Sequence, residues 1–279
     1  MSKTILITGA NTGIGEATAR ALAADGHRLY LACRSEAKTL PVIADITAAT
    51  GNADVHFLAL DLGRFASVRE CAAAFLALDV PLDVLINNAG VAGQRGLTED
   101  GFELAFGINH LGHFLLTQLL LGPLKASAPA RVVTVSSRSH YDAKGIDWEA
   151  VRQSTKGTMA LGEYAVSKLA NVLFSQELGR RLEGTGVTTY ALHPGVIASD
   201  IWERRLPILA PILRPITRLV MRSPEEGAKT TLYCATAPEL ADQTGRFYDD
   251  SKEKAASAVA TPELAAELWR RSEEWVATA

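Results

Sequence analysis

The sequence predicts a single α/β domain, in which a doubly wound parallel sheet of about seven strands carries helices on both faces. Short β-like apolar runs alternate along the chain with longer segments whose apolar residues recur at helical spacing. Hydrophobic residues make up 48% and charged residues 21% of the 279 residues, which is the balance of a globular chain. No repeat, linker or low-complexity tract divides the chain, so we expect residues 1–279 to form one domain.

The predicted strands are, in chain order, Thr4–Thr8, Arg28–Cys33, Val55–Leu60, Leu82–Asn87, Arg131–Ser136, Val187–His193 and Arg246–Tyr248. The predicted helices between them are Ile14–Asp25, Ser67–Leu78, Glu103–Leu121, Tyr164–Leu182 and Pro224–Ala235. Strands that alternate with helices of this length form βαβ units, and these units build a parallel sheet.

Two segments interrupt the alternation of strands and helices. Ser139–Gly162 is polar and contains glycine, and Ile201–Arg222 is apolar with three prolines. Open α/β sheets bind ligands in the crevice beyond the carboxyl ends of their strands, which is where both segments begin. We therefore expect a lid over a lipophilic substrate at about residues 200–222.

Charge and cysteine usage exclude several classes of protein. A net charge of −3 provides no basic surface for nucleic acid. Cys33, Cys71 and Cys234 are far apart, which indicates reduced thiols and no zinc site. The chain enters an apolar strand without a charged leader, and no apolar run reaches the roughly 18 to 20 residues of a membrane span. We expect a cytoplasmic protein without a transmembrane segment.

A glycine-rich turn, Thr8-Gly9-Ala10-Asn11-Thr12-Gly13-Ile14-Gly15, follows the first predicted strand. Glycines permit a tight turn and close approach of the backbone to a pyrophosphate, and the next helix offers its free N–H groups. An ordinary strand–helix turn is the alternative. The position of this turn, between an N-terminal strand and an amphipathic helix, favours dinucleotide binding on a Rossmann-type sheet.

Tyr164 and Lys168 are four residues apart and share one face of a predicted helix. A nearby lysine cation favours the phenolate of a tyrosine, whose ordinary pKa is about 10, and prepares it for proton transfer. Such a pair is common by chance. Here it follows a nucleotide loop and two strand-terminal serines, Ser136 and Ser137, and is therefore the best catalytic candidate. For Ser136 we adopt the alternative role in turn formation.

Together with Asp61-Leu62, Asn87-Asn88-Ala89-Gly90, Asn109 and Pro194-Gly195, these motifs resemble the short-chain dehydrogenase/reductase family over nearly the whole chain. Further segments look like its branch of retinol dehydrogenases and WW-domain oxidoreductases. These segments are Ala32-Cys33-Arg34, Asn109-His110-Leu111-Gly112-His113-Phe114, Ser167-Lys168-Leu169-Ala170-Asn171 and His193-Pro194-Gly195.

The resemblance implies a nicotinamide dinucleotide and the residues that hold it. The glycine loop would hold the pyrophosphate, Asp61 and Leu62 the adenine, and the residues after the fourth strand the ribose. For Asp61, a role as a helix N-terminal carboxylate is the alternative. Cofactor-binding residues are accordingly Gly9, Asn11, Thr12, Gly13, Ile14, Gly15, Asp61, Leu62, Asn88, Ala89, Gly90, Tyr164, Lys168, Pro194, Gly195, Ile197 and Ser199.

The end of the second strand predicts which dinucleotide is bound. NAD enzymes usually have an acidic residue there, whereas this chain has Cys33-Arg34, with Lys38 one helical turn later. A guanidinium can bind a 2′-phosphate bidentately, so we predict NADP(H). The alternative is that Arg34 is a solvated loop cation. Thr12 occupies the family's other basic position.

The resemblance also implies interconversion of an alcohol and a carbonyl on a retinoid-like or long-chain substrate. Tyr164 would be the general acid and base, Ser137 would bind the reacting oxygen, and Asn109 would hold a water that links Lys168 to solvent. Alternatives are a cofactor-bound regulator without turnover, a C=C reductase of the protochlorophyllide type, and the epimerase and dehydratase branch, whose loop has different glycine spacing.

Two further expectations concern metals and subunits. His110 and His113 are three residues apart but have no third ligand nearby in the sequence, so no metal site is predicted. The predicted helices Glu103–Leu121 and Tyr164–Leu182 match those through which relatives pair, which predicts a homodimer or homotetramer.

Overall fold

One eight-stranded sheet forms the centre of the protein in a computed structural model, which describes residues 2–195 and 223–277. The strand order is β3-β2-β1-β4-β5-β6-β7-β8. The first seven strands are parallel, and β8 is antiparallel to β7. Their bounds are β1 Thr4–Thr8, β2 Arg28–Cys33, β3 Val55–Ala59, β4 Val84–Asn87, β5 Ala130–Val135, β6 Val187–His193, β7 Arg246–Asp249 and β8 Lys252–Lys254.

The predicted doubly wound parallel sheet is confirmed, with eight strands where we predicted about seven. The additional strand, β8, consists of three exposed charged residues. It carries none of the apolar alternation by which strands are recognised in a sequence, and charged side chains are typical of sheet edges.

Helices cover both faces of the sheet. They are α1 Gly13–Ala24, α2 Glu36–Thr50, α3 Phe65–Leu76, α4 Leu104–Phe106, α5 Gly112–Leu119, α6 Leu121–Ala126, α7 Leu161–Arg181, α8 Pro224–Thr236 and α9 Pro262–Ala277. A π-helical turn, Gly107–Leu111, joins α4 to α5, and 3₁₀ turns occupy Arg138–Tyr141, Ala150–Arg152 and Pro238–Leu240. Buried residues of α1, α2 and α8 pack on one face, and those of α3, α5, α7 and α9 on the other.

Two helices, α2 and α9, are absent from the sequence prediction. α2 contains Pro41 and fully buries only Thr39 and Ile46, so its periodic apolar signal is weak. α9 carries a stronger signal, because Ala265, Leu268 and its other buried positions recur at helical spacing.

The helix predicted over Glu103–Leu121 is present, but it is not one regular α-helix. α4, the π-helical turn and α5 follow one another without a gap, and the helix ends at Leu120 (φ −100°, ψ 7°) before α6 begins. In the π-helical turn the N–H of Gly112 donates to the carbonyl of Gly107, five residues earlier. A Cβ on Gly112 would lie 2.6 Å from the carbonyl oxygen of Leu62, so the close packing of this helix requires glycine.

The C-terminal helix α9 covers α5 and α7. The Trp269 ring lies edge-on to Phe114, with centroids 5.0 Å apart, and stacks on Phe174 at 6.0 Å. The Nε2 atom of His110 is 2.9 Å from the Ser272 hydroxyl. α9 thus covers parts of both helices on which the predicted pairing is based, and the homo-oligomer stays a prediction.

The strand order reverses at β1. Strands β2 and β3 are added on one side of it, and β4 and the later strands on the other. In doubly wound sheets the crevice at the carboxyl ends of such strands is where ligands bind. The described residues include no helix long and apolar enough to cross a membrane. The predicted lid, residues 200–222, lies outside the described residues.

Candidate active site

The glycine loop after β1 has the geometry of a backbone that must pass close to a ligand. Gly9 and Gly13 have positive φ angles of 65° and 59°. A Cβ on Gly15 would collide with the carbonyl oxygen of Gly9 and lie 2.5 Å from Nδ2 of Asn88, whereas a Cβ on Gly13 would meet nothing within 4 Å. The loop therefore packs tightly against the protein at Gly15, whereas its backbone faces free space at Gly13.

The first turn of α1 borders this open space. Asn11 and Ile14 are half-buried and Thr12 is exposed, and the Thr12 side chain caps no backbone group of α1. The free N–H groups and positive end of a helix attract anions such as a pyrophosphate. The arrangement fits the phosphates of a dinucleotide.

Thr8 joins the glycine loop to the segment that follows β4. Its hydroxyl oxygen accepts hydrogen bonds from the backbone N–H groups of Asn88 and Ala89, both at 2.9 Å. The Asn88 side chain returns a hydrogen bond to the Thr8 carbonyl at 2.8 Å. A Cβ on Gly9 would lie 2.8 Å from Cβ of Ala89, so the two loops touch. The structure thus brings together the predicted pyrophosphate and ribose residues.

Gly90 lies where the predicted cofactor-binding residues meet the predicted catalytic residues. A Cβ at this position would be 3.2 Å from Oδ1 of Asn109 and 3.5 Å from Nζ of Lys168. Glycine at this exposed position therefore keeps a side chain from crowding Asn109 and Lys168.

Arg34 and Lys38 are exposed beyond the end of β2, while Cys33 is buried. In residues 2–195 and 223–277, no carboxylate forms an ion pair with either cation. Both remain available to an anionic group.

Asp61 lies in the loop before α3 and does not cap that helix, because the first N–H of α3, that of Phe65, donates to the Asp100 carboxylate at 2.9 Å. β3 ends at Ala59 rather than at Leu60 as predicted, and Asp61 follows in the loop. Its carboxylate accepts from the N–H of Gly63 at 3.0 Å, which stabilises the turn before α3. Leu62 is buried. The adenine-binding role of both residues stays a prediction.

Tyr164 and Lys168 lie one turn apart on α7, as the spacing predicts. The Lys168 ammonium is 5.6 Å from the centroid of the half-buried Tyr164 ring. It donates to the carbonyl oxygen of Val135, at the end of β5, at 2.9 Å. The lysine side chain is buried, and burial lowers its pKa from 10.5 to about 8 because an ammonium loses its hydration there.

Asn109 lies in the π-helical turn and points its side chain at Val91 and Ser167. Its Oδ1 accepts from the N–H of Val91 at 2.8 Å, and its Nδ2 donates to the Val91 carbonyl at 3.0 Å and the Ser167 hydroxyl at 2.9 Å. π-Helical turns interrupt α-helices frequently at functional sites. This one places Asn109 near Lys168.

The two serines after β5 have different environments. The Ser136 hydroxyl is buried and donates to the Lys168 carbonyl at 2.7 Å, so it holds α7 against the sheet. Ser137 is half-buried, and its hydroxyl oxygen accepts from the N–H of Ser139 at 3.1 Å. Ser137 leads into the 3₁₀ turn, while β5 ends at Val135.

Sequence reasoning missed two buried histidines that brace this site. The Nδ1 atom of His140 lies 2.6 Å from the carbonyl oxygen of Ser137, and its Nε2 accepts from the N–H of Ser257 at 3.2 Å. His113 lies between Thr8 and Asn109. Both were visible in the sequence, His113 in a motif of the family branch, but no local pattern indicates their partners.

The insertion Ser139–Gly162 is folded onto the body through Glu103. The buried Glu103 carboxylate accepts from the Thr155 hydroxyl at 2.6 Å and from the N–H of Phe106 at 2.9 Å. Apolar side chains remain exposed at the end of this insertion, Met159 to 60% and Leu161 to 46%. They precede Tyr164 by less than two helical turns.

The segment after β6 is described only at its start. Pro194 is buried and Gly195 has a positive φ of 95°. The predicted nicotinamide residues Ile197 and Ser199 lie outside the described residues. Across the described residues, no group of three or more His, Cys, Asp or Glu side chains could hold a metal ion.

Comparisons with known proteins agree with this geometry. Residues 3–207 match the family model of the short chain dehydrogenases. The chain is 44% identical to human retinol dehydrogenase 13, over 97% of this chain and 83% of that protein. It is 46% identical to human retinol dehydrogenase 12 (97% and 85%) and 45% identical to bovine dehydrogenase/reductase SDR family member 13 (97% and 72%).

Solved structures show the same fold. An uncharacterised protein from Mycobacterium paratuberculosis superposes with a TM-score of 0.79 at 34% identity, covering 99% of this chain and 93% of its own. The NADP active-site complex of RhlG from Pseudomonas aeruginosa gives 0.69 at 25% identity, covering 93% and 96%. With a family model that spans most of the chain and relatives this similar over nearly all of it, the protein belongs to the short-chain dehydrogenase/reductase family of oxidoreductases.

Proposed function

We propose that the protein interconverts an alcohol and a carbonyl with NADP(H), with Tyr164 as the general acid and base. The observation that carries this proposal is the Tyr164–Lys168 pair, whose ammonium lies 5.6 Å from the ring centroid. Asn109 and Ser137 complete the set of side chains that such chemistry needs. A bound nicotinamide would supply or accept hydride.

Each side chain has a distinct role in the proton transfer. Tyr164 donates its phenolic proton to a carbonyl oxygen during reduction and removes the alcohol proton during oxidation. The Lys168 ammonium favours the phenolate in the second case. The Ser137 hydroxyl holds the reacting oxygen, and Asn109 lies beside the ammonium to hold a water that relays protons to solvent.

Arg34 and Lys38 support NADP(H) over NAD(H). No acidic residue occupies the end of β2, and the two exposed cations are unpaired within the described part of the chain. A guanidinium there can bind a 2′-phosphate bidentately. The RhlG structure is an NADP complex of a related fold, which agrees with this preference.

A lipophilic substrate is favoured by the exposed apolar residues beside the site. Met159 and Leu161 lie just before Tyr164, and the likewise exposed Leu97 lies on a loop that contacts the insertion through Thr155. Several similar proteins are named retinol dehydrogenases, whose substrate is a long apolar alcohol. A retinoid or long-chain aldehyde would cover these side chains.

Three alternative functions differ from this proposal in the residues they need or in the product they form. A cofactor-bound regulator has no need for Ser137, Tyr164, Lys168 and Asn109 together. A C=C reductase would consume NADPH with an enone and leave its carbonyl intact. The epimerase and dehydratase branch has other glycine spacing than Gly9, Gly13 and Gly15.

The test follows NADPH absorbance with all-trans-retinal and with straight-chain aldehydes of increasing length. We expect kcat/KM for reduction to rise with the chain length of the aldehyde. Each buried methylene should lower the corresponding activation free energy by up to about 0.8 kcal/mol. Tyr164→Phe should lower turnover about a hundredfold or more at unchanged NADPH affinity. Tyr233→Phe, on the opposite face of the sheet, is the control. Near wild-type turnover by Tyr164→Phe, with chemistry rate-limiting, contradicts the assignment.

A further inference from the structure

His113 makes two hydrogen bonds that connect the two halves of the site. Its Nε2 lies 2.8 Å from the Thr8 hydroxyl, and its Nδ1 lies 3.0 Å from the carbonyl oxygen of Asn109. The ring is 1% exposed, so water does not compete for either nitrogen. Thr8 belongs to the cofactor loops, and Asn109 belongs to the catalytic residues.

The partners of His113 determine which nitrogen carries the proton. A carbonyl oxygen only accepts, so Nδ1 carries hydrogen and donates to Asn109. The Thr8 oxygen already accepts from the N–H groups of Asn88 and Ala89. Its own hydrogen is directed at Nε2, because the other acceptor in reach, the carbonyl of Ile86, is 3.5 Å away. The ring is therefore neutral, and burial agrees by lowering the pKa of His113 to about 4.

We propose that His113 is a positioning residue, whose neutral ring transmits the position of the cofactor loops to the catalytic segment of Asn109. Through Nε2 it orients the Thr8 hydroxyl that holds the loop after β4. Through Nδ1 it holds the carbonyl of Asn109 within the π-helical turn, and thereby the Asn109 side chain beside Lys168. The inference rests on the proposed function, because it assigns the two loops to cofactor and catalysis.

Two substitutions separate the two hydrogen bonds. In His113→Gln the amide oxygen reaches the position of Nε2 and can still accept from Thr8, but the donor to Asn109 is lost. In His113→Asn the amide nitrogen takes the position of Nδ1 and can still donate to Asn109, but the acceptor for Thr8 is lost. His110→Gln is the matched control, because His110 lies in the π-helical turn three residues before His113, is equally buried and bonds to Ser272 of α9 instead.

The measurements are NADPH dissociation constants by cofactor fluorescence, single-turnover rates with decanal, and thermal unfolding of each variant. We expect His113→Asn to weaken NADPH binding about tenfold at a nearly unchanged rate, as the loss of one buried hydrogen bond predicts. His113→Gln should reverse this pattern, with a rate about tenfold lower and nearly unchanged affinity. His110→Gln should lower the unfolding temperature without moving either constant.

The outcomes separate this inference from the proposed function. If both His113 variants shift affinity and rate together, or change only the unfolding temperature as His110→Gln does, His113 is a packing residue and the inference is wrong. If the wild-type protein binds neither dinucleotide, the proposed function fails and takes the inference with it. If it binds and turns over and the two variants split as expected, both stand.

Discussion

Replacing Lys168 with methionine should stabilise the cofactor-free protein while abolishing its turnover. The buried ammonium has a pKa of about 8, against about 10.4 for an exposed lysine. At pH 7 the incompletely hydrated charge therefore lowers the free energy of unfolding. Methionine has a similar length and needs no hydration. The carbonyl of Val135 is not orphaned by the change, because Asn171 also donates to it at 3.1 Å.

The magnitude follows from the lowered pKa of Lys168. A decrease from 10.5 to about 8 corresponds to about 3 kcal/mol, as an upper bound on the gain at pH 7. Below about pH 8 the lysine is charged in both the folded and unfolded states, and the destabilisation by the buried charge has its full value. Between about pH 8 and pH 10.5 the unfolded state binds more protons, so the stability of the wild type rises with pH. The advantage of Lys168→Met should shrink over that interval.

Urea unfolding of the cofactor-free proteins at pH 7 and at pH 10 measures this difference. Lys144→Met, at an exposed position of the insertion, is the control and should change stability little at either pH. A Lys168→Met protein that is less stable than the wild type at pH 7, or whose advantage persists at pH 10, would refute the reasoning.

Three further predictions concern predicted cofactor-binding residues and a contact of Ser137. Arg34→Ala should weaken NADPH binding while leaving NADH binding nearly unchanged in parallel titrations; equal losses would remove the 2′-phosphate role. Gly15→Ala should lower the free energy of unfolding by about 1–3 kcal/mol and weaken cofactor binding, whereas Gly122→Ala, where a Cβ meets nothing within 4 Å, should lower neither. His140→Phe should cost about 2 kcal/mol in urea unfolding and lower turnover, because the Ser137 carbonyl loses its ring donor; full activity would exclude a role for this contact.

The parts of the fold predicted correctly from the sequence are those with strong local signals. β1, β2 and β6 have the predicted bounds, because runs such as Thr4–Thr8 are rich in β-branched and apolar residues and end at turn residues. β8 and α2 were missed because neither carries a periodic apolar face. The π-helical turn and the interruption at Leu120 have no counterpart in the apolar spacing on which the helix prediction rests.

In the candidate site, too, the correctly predicted arrangements are those that local sequence patterns indicate. The spacing of Tyr164 and Lys168 and the glycine pattern are local, so their arrangement followed from the sequence. The partners of His113, Ser136 and His140 lie between 3 and 117 residues away in the chain. Such contacts depend on how the elements assemble, and this is why the supporting residues became visible only in the structure.

The position of α9 has a consequence for how the chain matures during synthesis. Of the described elements α9 leaves the ribosome last, yet it covers Phe114 and Phe174, which were made long before it. Until then the nascent chain displays an aromatic surface that native packing hides, and exposed surface of this kind promotes aggregation. Contacts across such sequence distances also slow folding. We therefore expect truncation before Pro262 to leave this aromatic surface uncovered and to lower the solubility of the chain.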